Sequence, residues 1–193
     1  SGFNFPTSLA FNSKGELLVA DLGYNRVRIV GKDGSVTTLA GNDDSATVDG
    51  VGTNASIEGP WGLFVDASDN VVISDFGAHV RKITPEGVVS TITGSAGRGY
   101  KDGSVAEAMF QNIYGIMQWV DGSIIVCDSN HAIRMITTTN QVITLAGNGE
   151  TGFVDGIGSA ARFNLPYGIT MNSKGEIFIA ERNNRAVRKM VLK

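Results

Sequence analysis

One short motif recurs three times at a fixed interval. Residues 36–41 read VTTLAG, 89–94 read VSTITG and 142–147 read VITLAG, so successive copies start 53 residues apart. An Asp-Gly pair keeps the interval at Asp49, Asp102 and Asp155. An alanine with a later apolar residue follows each: Ala55 and Ile57, Ala108 and Phe110, Ala161 and Phe163. Pro60-Trp61-Gly62 and Pro166-Tyr167-Gly168 open two repeats, with Ile113-Tyr114-Gly115 between them and Pro6-Thr7-Ser8 as the first copy. A period of this length means that each unit buries its faces against its neighbours.

Within each period the pattern is β throughout. In the first repeat the apolar runs predict strands at 9–12, 16–21, 26–30 and 36–39, separated by Asn-Ser-Lys-Gly, Leu-Gly-Tyr-Asn and Lys-Asp-Gly turn signals. No segment sustains a helical period. Composition agrees: 25 glycines against 4 prolines suit short strands and tight turns. The expected fold is all-β, a propeller of about four four-stranded blades near 6–41, 60–94, 113–147 and 166–193, forming one domain over 1–193. The fourth copy of the recurrent motif would start near 195, so the reading expects 15 strands and a last blade without its outer strand.

Residues 166–169 (PYGI), 175–181 (GEIFIAE) and 183–189 (NNRAVRK) resemble an NHL repeat. Residues 17–21 (LLVAD) with 25–29 (NRVRI) do so too, and 72–75 with 79–83 and 125–128 with 131–135 more loosely. The resemblance implies an NHL-type propeller closing with about six blades. The chain is then expected to be part of a longer protein. A complete chain would instead present an open edge for strand donation or self-association. NHL propellers include protein-binding and RNA-binding modules, extracellular sensors and a lyase, so the fold alone does not choose among them.

Composition narrows the choice. The net charge of −3 and the pI near 5.3 argue against nucleic acid. A local basic patch at Arg182, Arg185, Arg188 and Lys189 keeps an RNA reading open. No apolar run approaches a membrane span. One cysteine excludes an intramolecular disulfide.

Candidate chemistry is sparse. An acid closes each second strand (Asp21, Asp75, Asp128, Glu181), and an arginine follows (Arg28, Arg81, Arg134, Arg188). Four equivalent pairs read as scaffolding, because an active site does not recur with the repeat. Asp49, Asp102 and Asp155 sit in long loops whose pattern suits an Asx-type turn better than calcium, which takes six or more oxygens. His79 and His131 lie near equivalent turns and read as turn-stabilising, and Cys127 as buried. Together they fall short of the metal-binding histidine set of the NHL-like lyase, so no metal or cofactor is expected. Asn54-Ala55-Ser56 is an N-glycosylation triplet.

The aromatics carry the functional expectation. Trp61, Tyr114 and Tyr167 follow the repeat start in three successive blades and are expected at the mouth of the central channel. Tyr24 and Phe76 are placed further out on the same face, and Arg98, Tyr100 and Lys101 in the second long loop. The sequence therefore favours a non-catalytic scaffold, secreted or on a cell surface, binding a protein segment or glycan. The alternatives are a lyase or hydrolase with its site at the channel mouth and an RNA-binding domain.

Overall fold

In three of the four repeats the first strand reverses at a turn built by one side chain. Asn12 Oδ1 accepts the N–H of Lys14 and of Glu16 at 3.1 and 2.9 Å, and Gly15 supplies a φ of +75°. Asp66 receives Ser68 and Asn70 in the same way, both at 2.9 Å, and Asn172 receives Lys174 and Glu176, both at 3.0 Å. These side-chain turns join the first two strands of a repeat.

The structure, a computed structural model, describes residues 2–192; Ser1 and Lys193, the limits of the expected domain, lie outside the described residues. It is all-β with short 3-10 turns and no α-helix among the described residues. Four antiparallel sheets follow the four repeats. Blade 1 runs β1 (Pro6–Phe11), β2 (Leu17–Asp21), β3 (Arg26–Val30) and β4 (Val36–Gly41) in order. Blade 2 takes β5 (Gly50–Val51), β6 (Pro60–Val65), β7 (Val71–Asp75), β8 (Val80–Ile83) and β9 (Val88–Thr93), ordered β5-β9-β8-β7-β6. Blade 3 repeats that order with β10 (Gly103–Ser104), β11 (Ile113–Gln118), β12 (Ile124–Asp128), β13 (Ala132–Ile136) and β14 (Gln141–Ala146). Blade 4 holds β15 (Pro166–Met171), β16 (Glu176–Glu181) and β17 (Ala186–Val191). Blades 1 and 2 form one compact unit and blades 3 and 4 another, divided between Thr93 and Gly94.

Within each unit, paired blades bury an apolar layer. Leu18, Val27, Ile57, Ile73 and Ile83 make it in the first. Ile125, Ile133, Phe163, Ile177 and Ile179 make it in the second. The middle strands β7, β12 and β13 are buried along their whole length, which is why they lack the apolar–polar alternation of a half-exposed strand.

Two expectations need correction. First, the described residues form 17 strands, not 15, because β5 and β10 pair with the outer strands β9 and β14. Two-residue strands have no periodicity to read. The inner strands also start earlier, at Pro6 rather than residue 9, because a register shift between Pro6 and Ser8 breaks the alternation. Second, Asp49 and Asp102 do not make local Asx turns. Their carboxylates reach the arginine and the outer strand of the following blade.

These contacts join two motifs into one device, an acid–arginine–acid clasp. Arg81 Nη2 lies 2.7 Å from Asp49, and its Nη1 lies 3.5 Å from Asp75. Asp49 also accepts the N–H and O–H of Thr91 at 3.0 and 2.9 Å. In blade 3, Arg134 lies 2.9 Å from Asp128 and 2.6 Å from Asp102, and Thr144 donates N–H and O–H to Asp102 at 2.9 and 3.0 Å. Arg134 also donates to the carbonyls of Lys101 and Met109, with its guanidinium 4.9 Å from the Phe110 ring. In blade 4, Arg188 lies 2.9 Å from Glu181 and pairs with Asp155. In blade 1, Arg28 lies 3.3 Å from Asp21. Arginine suits this place because its planar fork serves two acids and two carbonyls at once. Asp128 is pushed up by burial, against the pull of its N–H donors and of Arg134. Asp49 is held low although burial is its largest single influence, because Thr91 and Arg81 together outweigh it.

Removing a fully buried guanidinium strands its buried acid, so Arg134→Ala is expected to cost about 3–5 kcal/mol. Asp102 is half exposed, and Asp102→Asn should cost about 1–2 kcal/mol. Urea unfolding of both variants measures the difference; equal losses would contradict this division of labour.

Candidate recognition surface

Trp61, Tyr114 and Tyr167 are each the second residue of an inner strand: β6, β11 and β15. Each sits at a register shift, between Pro60 and Leu63, Ile113 and Ile116, and Pro166 and Gly168. A bulge bends the strand and re-aims its side chains. All three residues are half-buried. In the first unit, Trp61 stacks on Phe76 with ring centroids 5.2 Å apart and an interplanar angle of 23°. In the second, the Tyr114 and Tyr167 rings meet at 4.5 Å and 33°, and the Arg182 guanidinium lies 5.5 Å from the Tyr167 ring. Burial raises the Tyr167 hydroxyl; Arg182 pulls it down and Tyr114 pushes it up, so it stays a donor at neutral pH.

Backbone proximity makes the tyrosine pair possible. A Cβ on Gly115 would fall 2.8 Å from Tyr167 O and 3.0 Å from Ile169 N. The inner strands β11 and β15 touch here, and only glycine permits it.

The other expected face residues separate. Tyr24 ends a 3-10 turn and is 40% exposed. Tyr100 lies against the clasp rather than the tyrosine pair: Arg134 lies 5.0 Å from its ring and its hydroxyl is 3.4 Å from Thr144 Oγ1. Arg98 donates to Gln111 O at 2.6 Å and to Asn112 Oδ1, bracing the entry to blade 3. The basic patch is partly neutralised, since Arg188 belongs to the clasp and Lys189 lies 3.0 Å from Glu176.

The histidines hold turns in two ways. His79 Nδ1 lies 3.2 Å from Asp75 within its own blade. His131 Nδ1 accepts the Leu165 N–H of the next blade at 3.1 Å, as Asn25 Oδ1 accepts the Gly59 N–H at 3.0 Å. Asn25 and His131 both have left-handed φ values, 53° and 60°. The shared register was legible; the inter-blade role was not, because the partner is a backbone group 34 residues away. Cys127 is fully buried and its thiol is pushed far up by that burial, as in a small core residue. Among the described residues no three His, Cys, Asp or Glu side chains cluster as a metal site.

The teneurin NHL domain family matches residues 30–191. The chain belongs to this family of NHL-repeat β-propellers. This NHL chain is 38% identical over 92 residues to the Arabidopsis thaliana protein SUPPRESSOR OF QUENCHING 1, chloroplastic, a match covering 47% of the chain and 9% of that protein. A Bacteroides thetaiotaomicron structure of unknown function superposes with a TM-score of 0.77 at 26% identity, covering 95% of this chain and 46% of that one. A Bacteroides ovatus structure described as an auxiliary nutrient binding protein gives 0.76 at 20% identity, covering 97% and 48%, and shows the shared fold. The NHL chain thus spans about half the length of these structures.

Two outcomes test the geometry. Gly115→Val should separate β11 from β15 and cost about 1–3 kcal/mol, read by thermal unfolding with near-ultraviolet circular dichroism reporting the tyrosine pair. Burial lowers the His131 pKa against the opposing charge of Asp128. A depressed folded pKa gives stability that is present above the unfolded value near 6.5 and lost as pH falls through the folded value. His131→Asn keeps an acceptor for Leu165 and should flatten that part of the stability profile between pH 7.5 and 5; an unchanged slope would assign it elsewhere.

Proposed function

We propose that this NHL chain is a non-catalytic recognition scaffold whose aromatic residues at the inner-strand starts bind a glycan or a protein segment. The observation that carries this reading is the half-buried Tyr114–Tyr167 pair with Arg182 beside it. Aromatic faces stack on sugar rings or anchor peptide side chains, and a guanidinium supplies directed donors at their rim. The Trp61–Phe76 stack offers a second such surface on the first unit. The buried acids support a non-catalytic role, since each is engaged by an arginine of its own blade. The nutrient-binding description of a fold neighbour is compatible with ligand capture. A secreted or cell-surface setting forms part of the proposal.

Oligosaccharide and tiled-peptide arrays probed with the purified chain test it. Tyr114→Ala and Tyr167→Ala should each weaken capture of a probe held by the tyrosine pair at least tenfold, and Trp61→Ala that of a probe held by the first unit, with far-ultraviolet circular dichroism showing that each variant keeps its β fold. Undiminished capture by all three would overturn the proposal.

A further inference from the structure

The long loops before blades 2, 3 and 4 keep their Asp-Gly pair, but the two residues before it differ in the middle loop. Lys101 stands where the other two loops carry Val48 and Val154, and Tyr100 stands where they carry Thr47 and Phe153. The clasp residues beside them do not change: Asp102 matches Asp49, and Thr144 matches Thr91. The frame is retained and two side chains upon it have been exchanged.

Both exchanged residues line one cavity of about 460 Å³ in the second unit, together with Asp102, Thr144, Asn148 and Ser159. Small-molecule pockets span roughly 300–1,000 Å³. Its walls are the loop before blade 3, the outer strand β14 and the loop before blade 4, all internal to the sequence. The Lys101 backbone is fixed: it exchanges N–H···O bonds with Met109 at 3.3 and 3.0 Å, and its carbonyl accepts from Arg134 at 2.8 Å. Its side chain is exposed and makes no ion pair among the described residues. Its charge helps to hold Glu107 low from a distance, after the larger effect of the Ser104 hydrogen bond. The acids around the cavity are already answered. Asp102 has Arg134 at 2.6 Å and both donors of Thr144. Glu150, which accepts from Asn148 at 3.2 Å, has Arg162 at 3.1 Å. The uncompensated charge in the cavity is therefore that of Lys101.

We propose that this cavity binds an acidic sugar, a hydroxylated ring carrying one carboxylate. Lys101 pairs with the carboxylate, while Tyr100, Asn148 and Ser159 exchange hydrogen bonds with the ring hydroxyls. No aliphatic side chain lines the cavity, so it offers a peptide no apolar anchor, whereas hydroxyl and amide groups match a polyol. A single ammonium suits a single carboxylate, and the charge-assisted bond selects the acid over the neutral sugar. This site is separate from the tyrosine pair and goes beyond the recognition surface built there.

The probe is D-glucuronate, titrated into the isotope-labelled 193-residue chain and followed by amide chemical shifts, with D-glucose and acetate as controls. Saturable shifts are expected at residues 100–102 and 147–149, with glucuronate held at least tenfold more tightly than either control. Lys101→Val installs the residue that the other two loops already carry, so the loop keeps its fold; it should abolish the preference, and Lys101→Arg should retain it. The position of the shifts separates this cavity from Tyr114 and Tyr167, so failure of either proposal is distinguishable from failure of the other. No saturable shift at tens of millimolar glucuronate, glucose bound equally well, or a preference that survives Lys101→Val would overturn the proposal. So would acetate bound as tightly as glucuronate, since the cavity would then hold an anion without its sugar.

Discussion

An arginine held between two acids ties this structure together. In blades 2, 3 and 4 the guanidinium joins the end of a middle strand to a loop acid that precedes the blade by sequence and closes it in space. Burying a charge is expensive unless its donors are all used. The fork of Arg134 uses them on Asp128, Asp102 and two carbonyls, over the face of Phe110. With the loop pinned at its aspartate, the loop strand lies beside the outer strand, and the chain returns to begin the next inner strand.

The candidate recognition surface follows from that return. The inner strands of blades 2–4 are entered from loops the clasp has placed, and each begins with a bulge that turns Trp61, Tyr114 or Tyr167 to a half-buried position. Gly115 lets two such strands touch, and the tyrosines then meet. The clasp supplies the frame, and the aromatics are what varies upon it: the first blade has Thr7 at this place, donating to Trp61 O at 2.7 Å.

Much of the fold was legible because a repeat prints its period in the sequence. The Asp and Arg at either end of the second hairpin turn recur with it, and so does the threonine of the outer strand. The loop aspartates were visible at the same interval, but their partners were not. A carboxylate next to glycine also suits a local turn, and sequence spacing does not distinguish that from a contact 42 residues away. The two-residue strands β5 and β10 were hidden for a related reason, since pairing with an outer strand creates them and side-chain alternation does not.

The sequence by itself determined the architecture: antiparallel four-strand repeats, their turns, and the recurrence of acid, arginine and aromatic at set places. Periodicity and turn chemistry are local, so they survive reading in one dimension. Tertiary structure alone decided which groups meet. It put Asp102 on Arg134 and Thr144, His131 on the backbone of the next blade, Tyr100 at the clasp and Tyr114 against Tyr167. Such contacts depend on distances between strands packed across a blade or between blades, and those distances are set by how the sheets pack.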